Sequence, residues 1–258
     1  MDETIAGETT LLAADEPPPF AVERARGASP FLLVCEHAAA RPPRRLGDLG
    51  LDAVDLERHI AWDIGAAAVA RGLSRRLDAT LISQTYSRLV IDCNRRPEAR
   101  DAIPVLSEET AISGNLDLSR DKFEARIREI HQPYQACISD HLEARETSIL
   151  VDIHSFTPIF KAVARPWHIG LLYGQGDRRL ADPLFALIAG DSRISVGDNQ
   201  PYAVDLDADY TIPVHGLGHG IVNIEIEIRQ DLITTEAGQD DWAGRLAGWL
   251  TAALERLK

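Results

Sequence analysis

The sequence predicts an α/β fold, and three observations carry that expectation. Short apolar, β-branched runs alternate with amphipathic stretches of helical period along the chain. Some of those runs end on polar residues, the sharpest being Leu150-Val151-Asp152-Ile153-His154-Ser155-Phe156. Hydrophobic residues make up 45% of 258 positions, enough for a two- or three-layer core. No Gly/Ser/Pro-rich linker divides the interior, so a single domain over residues 20–258 is expected.

The elements follow in order. Residues 1–19 are acidic, end in Pro17-Pro18-Pro19, and lack the basic start and apolar stretch of a secretory signal; they predict a flexible acidic arm. Phe31–Cys35 reads as the first buried strand, followed by a Pro- and Arg-rich loop over 41–48. An alanine-rich helix is expected over about 61–77, then strands at 80–84 and 89–94. A long loop covers 95–118, and long loops in a single domain are often functional. Phe123, Ile127, Ile130, Tyr134, Ile138 and Leu142 repeat at three- and four-residue spacing, predicting one helix over 120–145 with Ser119 as its N-cap. Strands at 149–154 and 168–173, a helix over 179–189 and a loop-rich stretch over 191–220 come next. A last strand, 221–229, precedes an amphipathic helix carrying Trp242, Leu246, Leu250, Leu254 and Leu257.

Composition excludes several function classes. A net charge of −13 argues against nucleic acid or an anionic membrane as partner, and no apolar run approaches membrane-spanning length. A small anionic substrate stays compatible, because a local arginine cluster can oppose the global field. Cys35, Cys93 and Cys137 lack metal-type spacing and read as packed free thiols of a reducing compartment, which predicts a cytoplasmic protein.

The candidate chemistry lies at strand ends. Asp152 and His154 are two apart, so they share one face of a strand, at the C-terminal edge where open α/β sheets bind ligands. His37 leaves the first strand; its neighbour Glu36 faces the opposite way in extended backbone, so one of the two enters a shared site, and imidazole suits zinc. Asp63, at a helix start, either complements the helix dipole or serves as a carboxylate ligand. His59, four residues earlier, either shares its helical face or lies on the surface. The alternation Asn223-Ile224-Glu225-Ile226-Glu227-Ile228-Arg229 describes a half-exposed strand or a catalytic floor, with Glu227 as general base. Arg88, Asp92 and Asn94 sit at even spacing, and Arg95 beside Asn94 suits a carboxylate-bearing substrate; Arg96 reads as solvated. Arg165 and His215 are weaker candidates in loops, and Tyr210 either donates to a substrate oxygen or packs.

These segments resemble the N-formylglutamate amidohydrolase family from about residue 30 to the end. The matching pieces are CEHA at 35–38, HIAWDIGA at 59–66, IDCNRRP at 91–97, DIHSFTP at 152–158, HIGLLYGQGDRR at 168–179 and IEIRQDLI at 226–233. The chain is more distantly similar to zinc carboxypeptidases and aspartoacylases, through His154, the pair Asn94 and Arg95, and Glu227 with Arg229. The resemblance implies a three-layer α/β/α fold with a mixed, mostly parallel central sheet, phosphorylase/hydrolase-like as in zinc carboxypeptidases. It also implies a Zn2+ cofactor, or another divalent transition metal such as cobalt or nickel. The H-x-x-E motif of the carboxypeptidases is absent, because Ala38-Ala39-Ala40 follow His37. Distantly similar cell-wall amidases take the carboxylate from the start of the next helix, which implies His37, Asp63 and His154 as ligands, with Glu36 or Asp152 as replacements for Asp63. The implied activity is hydrolysis of N-formyl-L-glutamate to formate and glutamate, a step in histidine breakdown. Glu227 and Arg229 would be catalytic, and Arg88, Asn94, Arg95 and Tyr210 would bind substrate. The alternatives are a hydrolase of another N-acyl amino acid or short peptide, and a metal-free carboxylate-binding protein.

Overall fold

The structure, a computed structural model, describes residues 10–145 and 149–257. In chain order the strands are β1 (Phe20–Glu23), β2 (Phe31–Cys35), β3 (Thr80–Gln84), β4 (Leu106–Ser107), β5 (Thr110–Ala111), β6 (Ile149–Phe156), β7 (Ile159–Phe160), β8 (Val163–Ala164), β9 (Ile169–Leu172), β10 (Val196–Asp198) and β11 (Val222–Arg229). The α-helices are α1 (Ala53–Leu56), α2 (Ala66–Leu77), α3 (Arg120–Arg126), α4 (Gln132–Glu143), α5 (Ala181–Ile188) and α6 (Glu236–Arg256). Seven strands form one sheet in the order β1-β3-β2-β6-β11-β9-β10. Four of its pairings are parallel and two, β1 with β3 and β9 with β11, are antiparallel. The mixed, mostly parallel sheet is the one expected.

Helices cover both faces, as parallel strands require. On one face Leu33, Cys35, Val151, Ile153 and the three isoleucines of β11 pack with α2, α5 and α6. On the other, Leu32, Val34, Ile82 and Leu150 pack against Ile130, Tyr134, Ile138 and Leu142. On this second face the central strands turn polar toward their C-terminal ends, where parallel register sets Glu225 beside Asp152 and Glu227 beside His154. Among the described residues no helix is long and apolar enough to cross a membrane.

The structure departs from the sequence-based expectations where burial and strand pairing part company. Residues 89–94 form turns, not a strand. Leu89, Val90 and Ile91 are fully buried, but their backbone is used locally, with Val90 N–H donating to Ser87 and Arg95 N–H to Asp92. An apolar run reports burial, not which partner its backbone takes. Helix α2 starts at Ala66 rather than near 61, because Gly65 caps it at φ +83°. The preceding turn is pinned by Asp63 N–H donating to the His37 carbonyl at 2.9 Å. The helix expected over 120–145 is interrupted by a π-helical segment, Ile127–His131, ahead of Pro133 in the first turn of α4. Proline lacks the N–H an α-helical ladder needs, and the wider turn absorbs that loss. Ser119 caps α3 as expected.

The loop over 95–118 contains the β4/β5 hairpin, and the stretch over 191–220 contains β10 and a second π-helical segment, Thr211–Leu217. The arm expected to be flexible is held in its later part. Leu11 is buried, the N–H groups of Leu11 and Leu12 donate to Glu129, and the Tyr86 hydroxyl donates to the Pro17 carbonyl. Residues 1–9 of that expectation lie outside the described residues.

Gly65 links fold and site. A Cβ there would meet the Ile233 carbonyl oxygen at 2.3 Å, in a backbone conformation that L-residues avoid. Gly65→Ala is therefore expected to lower unfolding free energy by about 1–3 kcal/mol, read as a shifted urea midpoint. An unchanged midpoint would contradict this account of the turn.

Candidate active site and metal centre

Three chain segments bring the polar groups together at the C-terminal edge of the sheet. His37 comes from just beyond β2, Asp63 from the turn before α2, and His154 from β6. His37 Nδ1 lies 3.5 Å and His154 Nδ1 2.8 Å from the same atom, Asp63 Oδ2. That oxygen also accepts the Ser155 N–H at 3.1 Å. The two imidazoles stand edge to face, with centroids 4.8 Å apart. On their far sides a pair of aspartates flanks the rings. His37 Nε2 hydrogen-bonds Asp92 Oδ1 at 2.7 Å, and His154 Nε2 lies 2.9 Å from Asp152 Oδ1 and 3.5 Å from Glu36 Oε2. Arg88 in turn bonds Asp92 at 2.7 Å and lies 3.5 Å from Asp63. All six of these side chains, Glu36, His37, Asp63, Asp92, Asp152 and His154, are nearly inaccessible to solvent.

Burial sets the electrostatics. Desolvation opposes ionisation of Asp63, but the two imidazoles outweigh it and hold its carboxyl well below the usual range. Desolvation also opposes a charged His154, yet Asp152, Asp63 and Glu36 push its pKa well up. Glu36, despite burial, is held down at about 2 by hydrogen bonding with His154 and Asp152 and by the Thr211 hydroxyl. Asp152 goes the other way, raised by burial and by the Glu36 charge. Burial raises Glu227 well above its ordinary value and Glu225 to about 7, His154 opposing both.

Among the described residues two groups have metal-ligand proximity, His37–Asp63–His154 and Glu36–Asp152–His154, with donor atoms inside 4.8 Å of one another in each. Only the first has all its members on the wall of a cavity of about 230 Å³; Glu36 and Asp152 are sealed behind it. The fit of the first group to a cation rests on His37 Nδ1. That nitrogen is buried, has no hydrogen-bond partner and faces a carboxylate oxygen, an arrangement a bound cation satisfies. Two imidazoles and one carboxylate are a donor set for zinc or a neighbouring divalent transition metal. The outer aspartates are the usual means of aiming such imidazoles.

The same cavity is lined by Arg88, Asn94, Arg95, Ser155, Leu172, Tyr202, Asp205, Asp209, Glu225 and Glu227. Of the residues expected from sequence, His37, Asp63, His154, Arg88, Asn94, Arg95 and Glu227 all meet there. Arg229 and Tyr210 do not line it. Arg229 bonds Asp231 at 2.7 Å and reaches the carbonyls of Arg165 and Trp167, so it ties a loop to the end of β11. Tyr210 packs between His131 and His215. His59 pairs with Glu108 and His215 bonds Gln135, both away from the cavity. Arg95 is on the wall, but its guanidinium already bonds Asp101 at 3.0 Å and Asp209 at 2.5 Å.

Glu36 and His37 both join the polar cluster, against the expectation that only one would. Both lie in the turn that follows β2, where strand alternation no longer sends neighbouring side chains to opposite faces. Asp92 was visible as one of three polar residues at even-numbered spacing, and nothing in the sequence marked Tyr202, Asp205 or Asp209.

The N-formylglutamate amidohydrolase family model matches residues 29–234. The chain belongs to this family. Among solved structures, the gene product Atu2144 from Agrobacterium tumefaciens is 41% identical, superposes with a TM-score of 0.91, and aligns over 95% of this chain and 98% of its own. The N-formylglutamate amidohydrolase from Ralstonia eutropha JMP134 is 19% identical with a TM-score of 0.64, over 93% of this chain and 98% of its own, and shares the fold. No curated protein matches the sequence. Membership of this amidohydrolase family agrees with a cavity that gathers imidazoles, carboxylates and arginines at a sheet edge.

The outer shell yields a quantitative expectation. Asp92→Asn should weaken zinc binding roughly 10- to 100-fold, measured by competition with a chromophoric chelator, while Asp63→Ala should abolish stoichiometric binding. Equal affinity of Asp92→Asn and wild type would show that Asp92 does not aim His37 at a metal.

Proposed function

We propose that the protein is a metal-dependent amidohydrolase that cleaves the N-formyl amide of N-formyl-L-glutamate, releasing formate and glutamate. One observation carries the reading: two buried imidazoles present Nδ1 to a single oxygen of Asp63 in a cavity that also holds a buried carboxyl, Glu227, with an unpartnered oxygen. His37, Asp63 and His154 would hold the metal, zinc by preference. When bound, it supplies Lewis acidity to a carbonyl oxygen and makes water more acidic.

The chain's own groups supply the rest. Glu227 faces His154 in register across β6 and β11, and is the general base that takes a proton from the attacking water. It then returns that proton to the departing amine nitrogen. Burial, by raising its carboxyl, favours the proton-carrying form that returns the proton to the amine. Asn94 Oδ1 accepts the Thr211 N–H, which leaves its amide N–H groups to donate to the substrate. Arg88, held by Asp92 and Asp63 on the cavity wall, would stabilise the charge that develops on the carbonyl oxygen. The cavity suits a small substrate, not an extended chain.

A second reading, another N-acyl amino acid on the same machinery, is favoured by the cavity's charge. Asp205, Asp209 and Glu225 share its wall, so a substrate with one carboxylate meets less repulsion than one with two.

Formate release from N-formyl-L-glutamate by zinc-loaded protein tests the first reading. Release should stop on chelation and fall roughly 10²- to 10⁴-fold in kcat in Glu227→Gln, with zinc retained. No release from fully loaded protein would sink this substrate and turn the assay to a panel of N-acyl amino acids; protein that binds no metal would sink the mechanism.

A further inference from the structure

We propose that Arg165 is the anchor for the substrate's carboxylate, with Tyr202 as the wall against which that carboxylate is held. The proposal rests on the amidohydrolase reading for its substrate class, an N-acyl amino acid, and concerns which cation recognises the acid common to all of them.

Among the described residues, four arginines lie on or beside the cavity, and three of them already pair with carboxylates. Arg88 bonds Asp92 and lies near Asp63; Arg95 bonds Asp101 and Asp209; Arg229 bonds Asp231. A guanidinium already paired with a carboxylate has less attraction left for a substrate carboxylate than one without such a partner. Among the described residues Arg165 has no carboxylate partner. Its one side-chain hydrogen bond goes to the Thr157 hydroxyl at 3.3 Å.

The side chain is nonetheless held in place. The guanidinium carbon lies 4.6 Å from the Phe160 ring centroid, 5.1 Å from Tyr202 and 5.9 Å from Phe156. Stacking on rings restricts a guanidinium without consuming its hydrogen-bond donors, so the fork stays available for a planar carboxylate. Tyr202 belongs to the cavity wall, which places the cation at the border of the reaction chamber. The Tyr202 phenol sits within the fields of Glu227 and Asp63 as well as those of Arg165 and Arg88, so the cation and the reacting groups share one neighbourhood.

The backbone around Arg165 is built to hold it. The β7/β8 hairpin ends at Ala164, and Arg165 N–H closes it by donating to the Pro158 carbonyl at 2.8 Å. From the other side Arg229 reaches the Arg165 and Trp167 carbonyls at 3.5 and 3.3 Å. Arg229, expected from sequence to be catalytic, is on this view a positioning residue for the loop that carries the anchor.

The test uses zinc-loaded full-length protein, wild type and Arg165→Met, with Arg165→Lys as the conservative variant. The substrates are the best N-acyl amino acid and its α-carboxamide, in which the acid is neutral. Arg165→Met should raise KM for the acid roughly 10- to 100-fold with kcat within about threefold, should leave the carboxamide's kinetics unchanged, and Lys should recover part of the loss. A merely structural role would damage both substrates alike, and that result, or an unchanged KM, overturns the proposal. If no N-acyl amino acid is turned over, the amidohydrolase reading has failed by itself, and glutarate binding by calorimetry then decides the anchor. Glutarate bound by wild type and lost in Arg165→Met supports it; equal binding, or none to wild type, overturns it.

Discussion

The structure hinges on one carboxylate oxygen. Asp63 Oδ2 faces His37 Nδ1 and His154 Nδ1 and accepts the Ser155 N–H, so it joins the ends of two parallel strands to the entrance of α2. A carboxylate this deeply buried is costly unless nearly every lone pair is used. The local backbone is shaped to meet that demand. Asp63 N–H is tied to the His37 carbonyl, and Gly65 takes the left-handed turn that lets α2 begin immediately afterwards.

Around that atom the site carries more negative than positive charge. Glu36, Asp63, Asp92, Asp152, Glu225 and Glu227 are all buried, against Arg88 and two imidazoles. Like charges in a low dielectric cannot all persist. The chain's answer is uneven titration: Asp63, Asp92 and Glu36 stay ionised, while burial and mutual repulsion push Asp152, Glu225 and Glu227 toward the neutral form. A divalent cation held among His37, Asp63 and His154, as proposed, would relieve the same imbalance more directly and would leave Glu227 beside it to carry a proton. Fold stability and chemistry thus draw on one surplus of buried acid.

Much of this was legible in the sequence, for physical reasons that differ by element. The buried strands β2 and β6 declared themselves because strands covered on both faces are nearly continuous in apolar residues, and because polar residues break the run at the ligand-binding edge, whereas β11 declared itself by its strict alternation of isoleucine with polar residues. Asp152, His154, Glu225 and Glu227 were placed on one face by parity alone. Parity failed at His37, just past the end of its strand, and at 89–94, where an apolar run is buried through turns. The π-helical segments at 127–131 and 211–217 left no periodic trace that separates them from an α-helix and a loop. The loop residues Tyr202, Asp205 and Asp209 reach the cavity only through tertiary folding. Arg95 shows the opposite limit: its motif was visible, but its two aspartate partners, 6 and 114 residues away, were not.

The measurement that bears most directly on the central claim is anomalous diffraction at the zinc edge from crystals of the zinc-loaded protein. The account predicts one strong peak coordinated by His37 Nδ1, His154 Nδ1 and Asp63, with Zn–N distances of about 2.0–2.1 Å. A peak instead among Glu36, Asp152 and His154 Nε2, or no peak from protein that binds zinc stoichiometrically in solution, would contradict it.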